Sequence, residues 1–149
     1  MKEGHQMSVS FQEKGLWLMF IGLIWWFGFY FVTVLPTNTV NLMPYHVLFF
    51  VLAVVMLVLT QVVGHIIIAS FDRYTKTDER DRLIELKGTR NGAYVLATGV
   101  FLALCTALLT QGNFIFTHVL LGFWVLAQLV EIGSQLFLYR RGDISDGQK

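Results

Sequence analysis

Apolar residues run along this chain in four long blocks, at 15–35, 45–69, 92–111 and 116–139, separated by shorter polar connections. As a helix rising 1.5 Å per residue, each block is long enough to cross a hydrocarbon core of roughly 30 Å. The pattern predicts an all-α integral membrane four-helix bundle, with residues 1–149 forming a single membrane domain. The spans use most of the chain and leave no room for a separate soluble domain.

Composition agrees: 55 % of the side chains are hydrophobic and only 14 % charged, outside the range of ordinary soluble domains. The first block follows Lys14 and resembles a signal peptide, but it exceeds the roughly 7–15 residues of a signal core and no small-x-small site follows it. It reads as an uncleaved anchor, and Met7 is as good a start as Met1. The one cysteine, Cys105, lies inside the third block and has no partner for an intramolecular disulfide.

Charge sets the expected orientation. The connections 36–44 and 112–115 carry none, whereas the N-terminal segment, the central loop 70–91 and the tail hold every Lys and Arg. The positive-inside rule then places both termini and the central loop in the cytoplasm, with a bacterial inner membrane as the expected location. Segment 72–92 alone contains six of the eleven basic and five of the ten acidic residues. Thr77 is placed to cap a helix with Asp78 and Glu79 in its first turn, where negative charge suits the helix dipole. Asp78 with Arg82, and Arg82 with Glu85, are spaced to pair along that helix, which is expected to run into the third span with a kink at Gly88 or Gly92. Asp78, Glu79, Arg80, Asp81, Arg82, Lys87 and Arg90 form a candidate docking surface for a protein partner or anionic lipid. The plainer alternative is a solvated face carrying topogenic charge. Acids nearly cancel the bases and aromatic residues do not interleave them, which argues against nucleic acid.

Glu131 is the one charge inside any apolar block. It lies eight residues, roughly 12 Å, from the inner end of its span, and Gln61 lies equally deep in the second span. Gln128, Glu131 and Gln135 share one helical face, as do Gln61 and His65. An intramembrane acid costs about 2.5–3.5 kcal/mol to insert, so it is expected to face the bundle interior and find partners. Gln61, His65, Gln128, Glu131 and Gln135 therefore make a candidate intramembrane polar site, either proton- or cation-responsive or a hydrogen-bond network fixing helix register.

His46 and His118 stand at matching depth near the outer ends of their spans, weak candidates for metal or haem because no carboxylate or thiol ligand accompanies them. Trp25 and Trp26 fall near mid-membrane, where one ring facing lipid and one packing on a neighbouring helix is the simplest arrangement, a bound quinone the alternative. Gly99, Ala103 and Ala107, preceded by Gly88 and Gly92, form a small-residue stripe suited to close helix packing, within the chain or in a homo-oligomer. Nucleotide-binding, zinc-protease, C-x-x-C and nucleophile-elbow motifs are absent from the sequence, and no cofactor and no catalytic residues are expected.

SFQEKGLW at 10–17 and TDERDRLIELKGTRNGAYVL at 77–96 resemble a group of small bacterial four-span membrane proteins whose members can lie beside helix-turn-helix regulators. The resemblance implies a regulatory or immunity-like role and gives weight to Asp78, Glu79, Arg80 and Asp81. The leading expectation is a non-enzymatic membrane protein that docks a partner through its charged loop. A small oligomeric proton- or cation-coupled transporter using Glu131 comes second, and a haem- or quinone-binding protein third.

Overall fold

The computed structural model describes residues 11–71 and 79–141. Four helices account for most of them: α1 (Phe11–Val34), α2 (Pro44–Phe71), α3 (Glu79–Leu109) and α4 (Phe114–Arg141), with a short 3₁₀ turn, Leu35–Thr37, after α1. The described residues contain no strand. All four helices are long and apolar enough to cross a membrane. α2 and α4 cover their expected spans, α1 and α3 end one and two residues short of theirs, and α3 begins thirteen residues before the third apolar block because the charged sequence ERDRLIELK is itself a strong helix former. Thr77, the expected cap, and Asp78 of the expected first turn lie outside the described residues.

Packing is uneven. α3 and α4 form the tightest pair, α1 and α2 a second, and α1 against α4 joins them. α2 and α3 make no comparable contact, so the bundle has a seam along that side. Only 6 % of the apolar window of α2 is buried, which makes it a peripheral helix held mainly by α1, with His46 and Ala53 reaching α4 at the uncharged end.

Small residues explain the tight pair. Gly88, Gly92, Gly99 and Ala103 are buried on the face of α3 that meets α4, and a Cβ placed on Gly99 would run into Phe123. The stripe is an internal packing surface over these four positions; Ala107 is exposed. On the other pair, Gly15, Gly22 and Gly64 let α1 and α2 approach. The core between α1 and α4 is built from Leu23, Phe27, Val125, Ile132 and Leu136. Trp25 is 70 % exposed, while the Trp26 indole N–H donates to Thr60 Oγ1 at 3.0 Å, as the simplest arrangement of the pair requires.

The two uncharged connections are tied to each other. Asn113 Oδ1 accepts from the Leu42 amide at 2.8 Å, the Phe114 amide donates to the Val40 carbonyl at 3.3 Å, and Gly112 adopts φ +82° directly against Val40. A side chain at 112 would be strained by its backbone and would also strike that carbonyl.

Candidate functional site: a polar vestibule at the charged end

The helix ends that carry the Lys and Arg residues define a charged end of the bundle; the tied connections form the uncharged end. At the charged end all four helices border a polar cavity of about 310 Å³. α1 contributes Gln12, Gly15, Leu16 and Met19, α2 His65, α3 Asp81 and Glu85, and α4 Glu131, Gln135 and Tyr139.

Glu131 reaches this cavity from α4 because Gly88 and Gly92 bring the α3 backbone close to it. A Cβ on Gly92 would lie 3.0 Å from Glu131 Cβ and 3.2 Å from its Oε2. Thr89 Oγ1 donates to Glu131 Oε1 at 2.8 Å. Among the described residues no Lys or Arg pairs with this carboxylate. One turn further along α4, Gln135 is only 8 % exposed, and what it exposes faces the same cavity. Its amide makes no hydrogen bond among the described residues and is open to the cavity.

His65 donates from Nδ1 to the Gln61 carbonyl at 2.8 Å, since a carbonyl can only accept, and its ring lies against Gly15. Gln61 itself turns elsewhere. Its amide lies by Gly22 of α1, with both polar atoms buried and without partners among the described residues. Gln128 is half-buried and does not line the cavity. Of the five residues singled out in the sequence, the vestibule thus gathers His65, Glu131 and Gln135.

In the sequence Tyr139 marks only the end of the fourth span, yet it fastens the vestibule rim. Its hydroxyl lies 2.7 Å from Gln12 Oε1 and 2.9 Å from Asp81 Oδ1, linking α4 to α1 and α3. Asp81 and Glu85 are four apart and therefore share a helix face, and that face turns inward. The expected Arg82–Glu85 pair does not form, because Glu85 lines the cavity while Arg82 is exposed on another side. The docking set is accordingly divided. Asp81 belongs to the vestibule, Lys87 and Arg90 line an outer groove between α3 and α4, Glu79, Arg80 and Arg82 are exposed, and Asp78 lies outside the described residues.

Depth follows from helix length. About twenty residues cover a hydrocarbon core of roughly 30 Å. Counted from Leu109 and Phe114 at the uncharged end, they end near Arg90 and Gly133. Glu131 then sits within one turn of the boundary, where a carboxylate can keep contact with water through the vestibule.

The histidines occupy the uncharged end. His46 and His118 have ring centroids 6.2 Å apart, so depth matching does bring them together. Their nitrogens are committed to protein. His46 Nδ1 accepts from the Met43 amide at 3.1 Å, which leaves Nε2–H to donate to Thr37 Oγ1 at 3.0 Å; that hydroxyl donates in turn to the Val34 carbonyl. His118 donates from Nδ1 to the Phe114 carbonyl at 2.7 Å and accepts on Nε2 from the Tyr30 hydroxyl at 3.0 Å. A metal or haem iron would have to displace one of these bonds at each ring. Beside His46 an apolar cavity of about 420 Å³ opens along the same seam as the vestibule, and the buried Leu23 and Phe27 lie at intermediate depth.

Fold and site together define an all-α, four-span membrane protein with a polar vestibule at one end of its bundle. Compared with protein-family models, curated proteins and solved structures, the chain matches none.

Proposed function

We propose that the protein takes a small organic cation into the vestibule, with Glu131 as its counter-charge, as the binding step of a proton- or cation-coupled carrier. The observation that supports this best is the juxtaposition of Glu131, whose described partner is a hydroxyl, with the Gln135 amide, which makes no hydrogen bond among the described residues, in one cavity. A carboxylate supplies charge, an amide oxygen supplies a hydrogen-bond acceptor, and Leu16 and Met19 supply an apolar wall. The described residues contain no cluster of three His, Cys, Asp or Glu spaced to hold a metal ion, which favours an organic cation. The orientation we infer puts the vestibule on the cytoplasmic side of a bacterial inner membrane, following the positive-inside rule.

The test is calorimetric titration of spermidine and tetraethylammonium into the purified full-length protein. Glu131→Gln is expected to weaken binding of the better probe by at least about tenfold, and Glu131→Asp to restore part of it. A folded Glu131→Gln protein that binds both probes as the parent does would overturn the reading.

The regulatory role implied by the sequence resemblance is a second reading, supported by the exposure of Glu79, Arg80 and Arg82 about two to three turns beyond the hydrocarbon boundary. Charge reversal at Glu79 and Arg80 is expected to abolish co-purification of a stoichiometric partner while the bundle stays folded; retention of every partner would remove this reading.

A further inference from the structure

The face of α3 turned away from the vestibule carries the opposite charge. There Lys87 and Arg90 flank a groove of about 510 Å³ between α3 and α4, whose floor includes Phe137 and Leu138. Asn91 Nδ2 donates to Ser134 Oγ across it at 3.1 Å, which leaves the serine hydroxyl proton available to a further acceptor. A third cation extends the patch: the Arg141 guanidinium sits 5.6 Å above the Phe137 ring. Asp81, Glu85 and Glu131 line the other cavity, so acids and bases are sorted to opposite sides of one helix pair.

Depth gives this sorting a meaning. The groove straddles the level of Arg90 and Gly133, where the hydrocarbon core ends and phospholipid phosphates begin. We propose that it seats an anionic phospholipid, the phosphate held by Lys87, Arg90 and the Ser134 hydroxyl and the acyl chains running past Val130 and Gly133 toward the bilayer centre. Arg can grip a phosphate through two parallel N–H donors, and basic pockets between helices at this level suit acidic headgroups. Val130, on the hydrocarbon side of the cations, argues for a lipid over a free phosphate ion, which would leave that wall uncovered. Both cations are exposed, and among the described residues neither has an acidic partner. This site is independent of the cation proposed for the vestibule.

The test is native mass spectrometry of the full-length protein offered equal amounts of dioleoyl phosphatidylglycerol and dioleoyl phosphatidylcholine. The parent is expected to retain the glycerol lipid preferentially. Each of Lys87→Gln and Arg90→Gln should reduce that preference by about fivefold, and the pair together by about twentyfold, the effect of two surface cations on an anionic lipid. Arg80→Gln with Arg82→Gln removes the same charge from the same helix outside the groove and should leave the preference intact. The single variants decide the matter if the pair expresses poorly. The proposal is overturned if the parent shows no preference, if the groove variants keep it, or if the control pair loses as much. It is also overturned if inorganic phosphate displaces the lipid at equal concentration, or if the groove variants shed a protein partner while lipid retention stays unchanged.

Discussion

Tyr139 joins three helices through one hydroxyl. Its single proton serves two acceptors, Gln12 and Asp81, so the phenol donates to one at a time and the two ties exchange. Tyr139→Phe is expected to lower stability by about 1–2 kcal/mol, read from thermal unfolding in detergent, whereas Tyr94→Phe, at a ring 68 % exposed, should leave it unchanged. At the uncharged end, Tyr30→Phe strips His118 Nε2 of its donor in a buried setting and should cost a similar 1–2 kcal/mol, roughly, by the same measurement. These bonds were not legible in the sequence, because each joins residues 88 or more apart, or passes through a residue whose spacing marks only a span end. What spacing did disclose was the shared face of Glu131 and Gln135. It misplaced Gln61, whose side chain departs from its neighbour His65 by turning onto the small surface of Gly22.

Among the elements, α3 shows how a helix gains a partner by losing side chains. Its glycines and Ala103 bring α4 close enough for backbone and Cβ atoms to touch, and in lipid such van der Waals contact is a main source of helix association. Gly99→Ala should therefore destabilise the protein by about 1–3 kcal/mol, since Phe123 must shift to admit a methyl group. Gly28→Ala is the informative contrast. Nothing lies within 4 Å of a Cβ there, and helix propensity alone predicts a change near zero or a gain of up to about 1 kcal/mol. Denaturant titration of both variants checks the pair. Hydropathy located every helix of this kind, but it could not say that α3 begins at Glu79, because apolar content marks the membrane-embedded part of a helix and not its hydrogen-bonded length. The same ambiguity bears on Glu131: α4, at 28 residues, is longer than the roughly twenty that a hydrocarbon core needs, so its depth depends on which helix end the count starts from.

For the whole molecule, hairpin packing was beyond the reach of the sequence, since four apolar helices can be arranged around one another in several ways with similar burial. The arrangement adopted leaves α2 and α3 apart, and both cavities lie along that seam. Leu16 and Met19 give the vestibule an apolar wall beside Glu131, so an organic ion seated there would be sorted by its alkyl groups as well as by its charge. Lengthening a tetraalkylammonium ion by one methylene favours transfer out of water by about 0.8 kcal/mol, or roughly fourfold. Apparent affinity, read by calorimetric titration of the series, should climb by about that factor per methylene until the ion outgrows the cavity. A protein built this way would act as a sieve for bulk, with the carboxylate setting only which sign of charge is admitted.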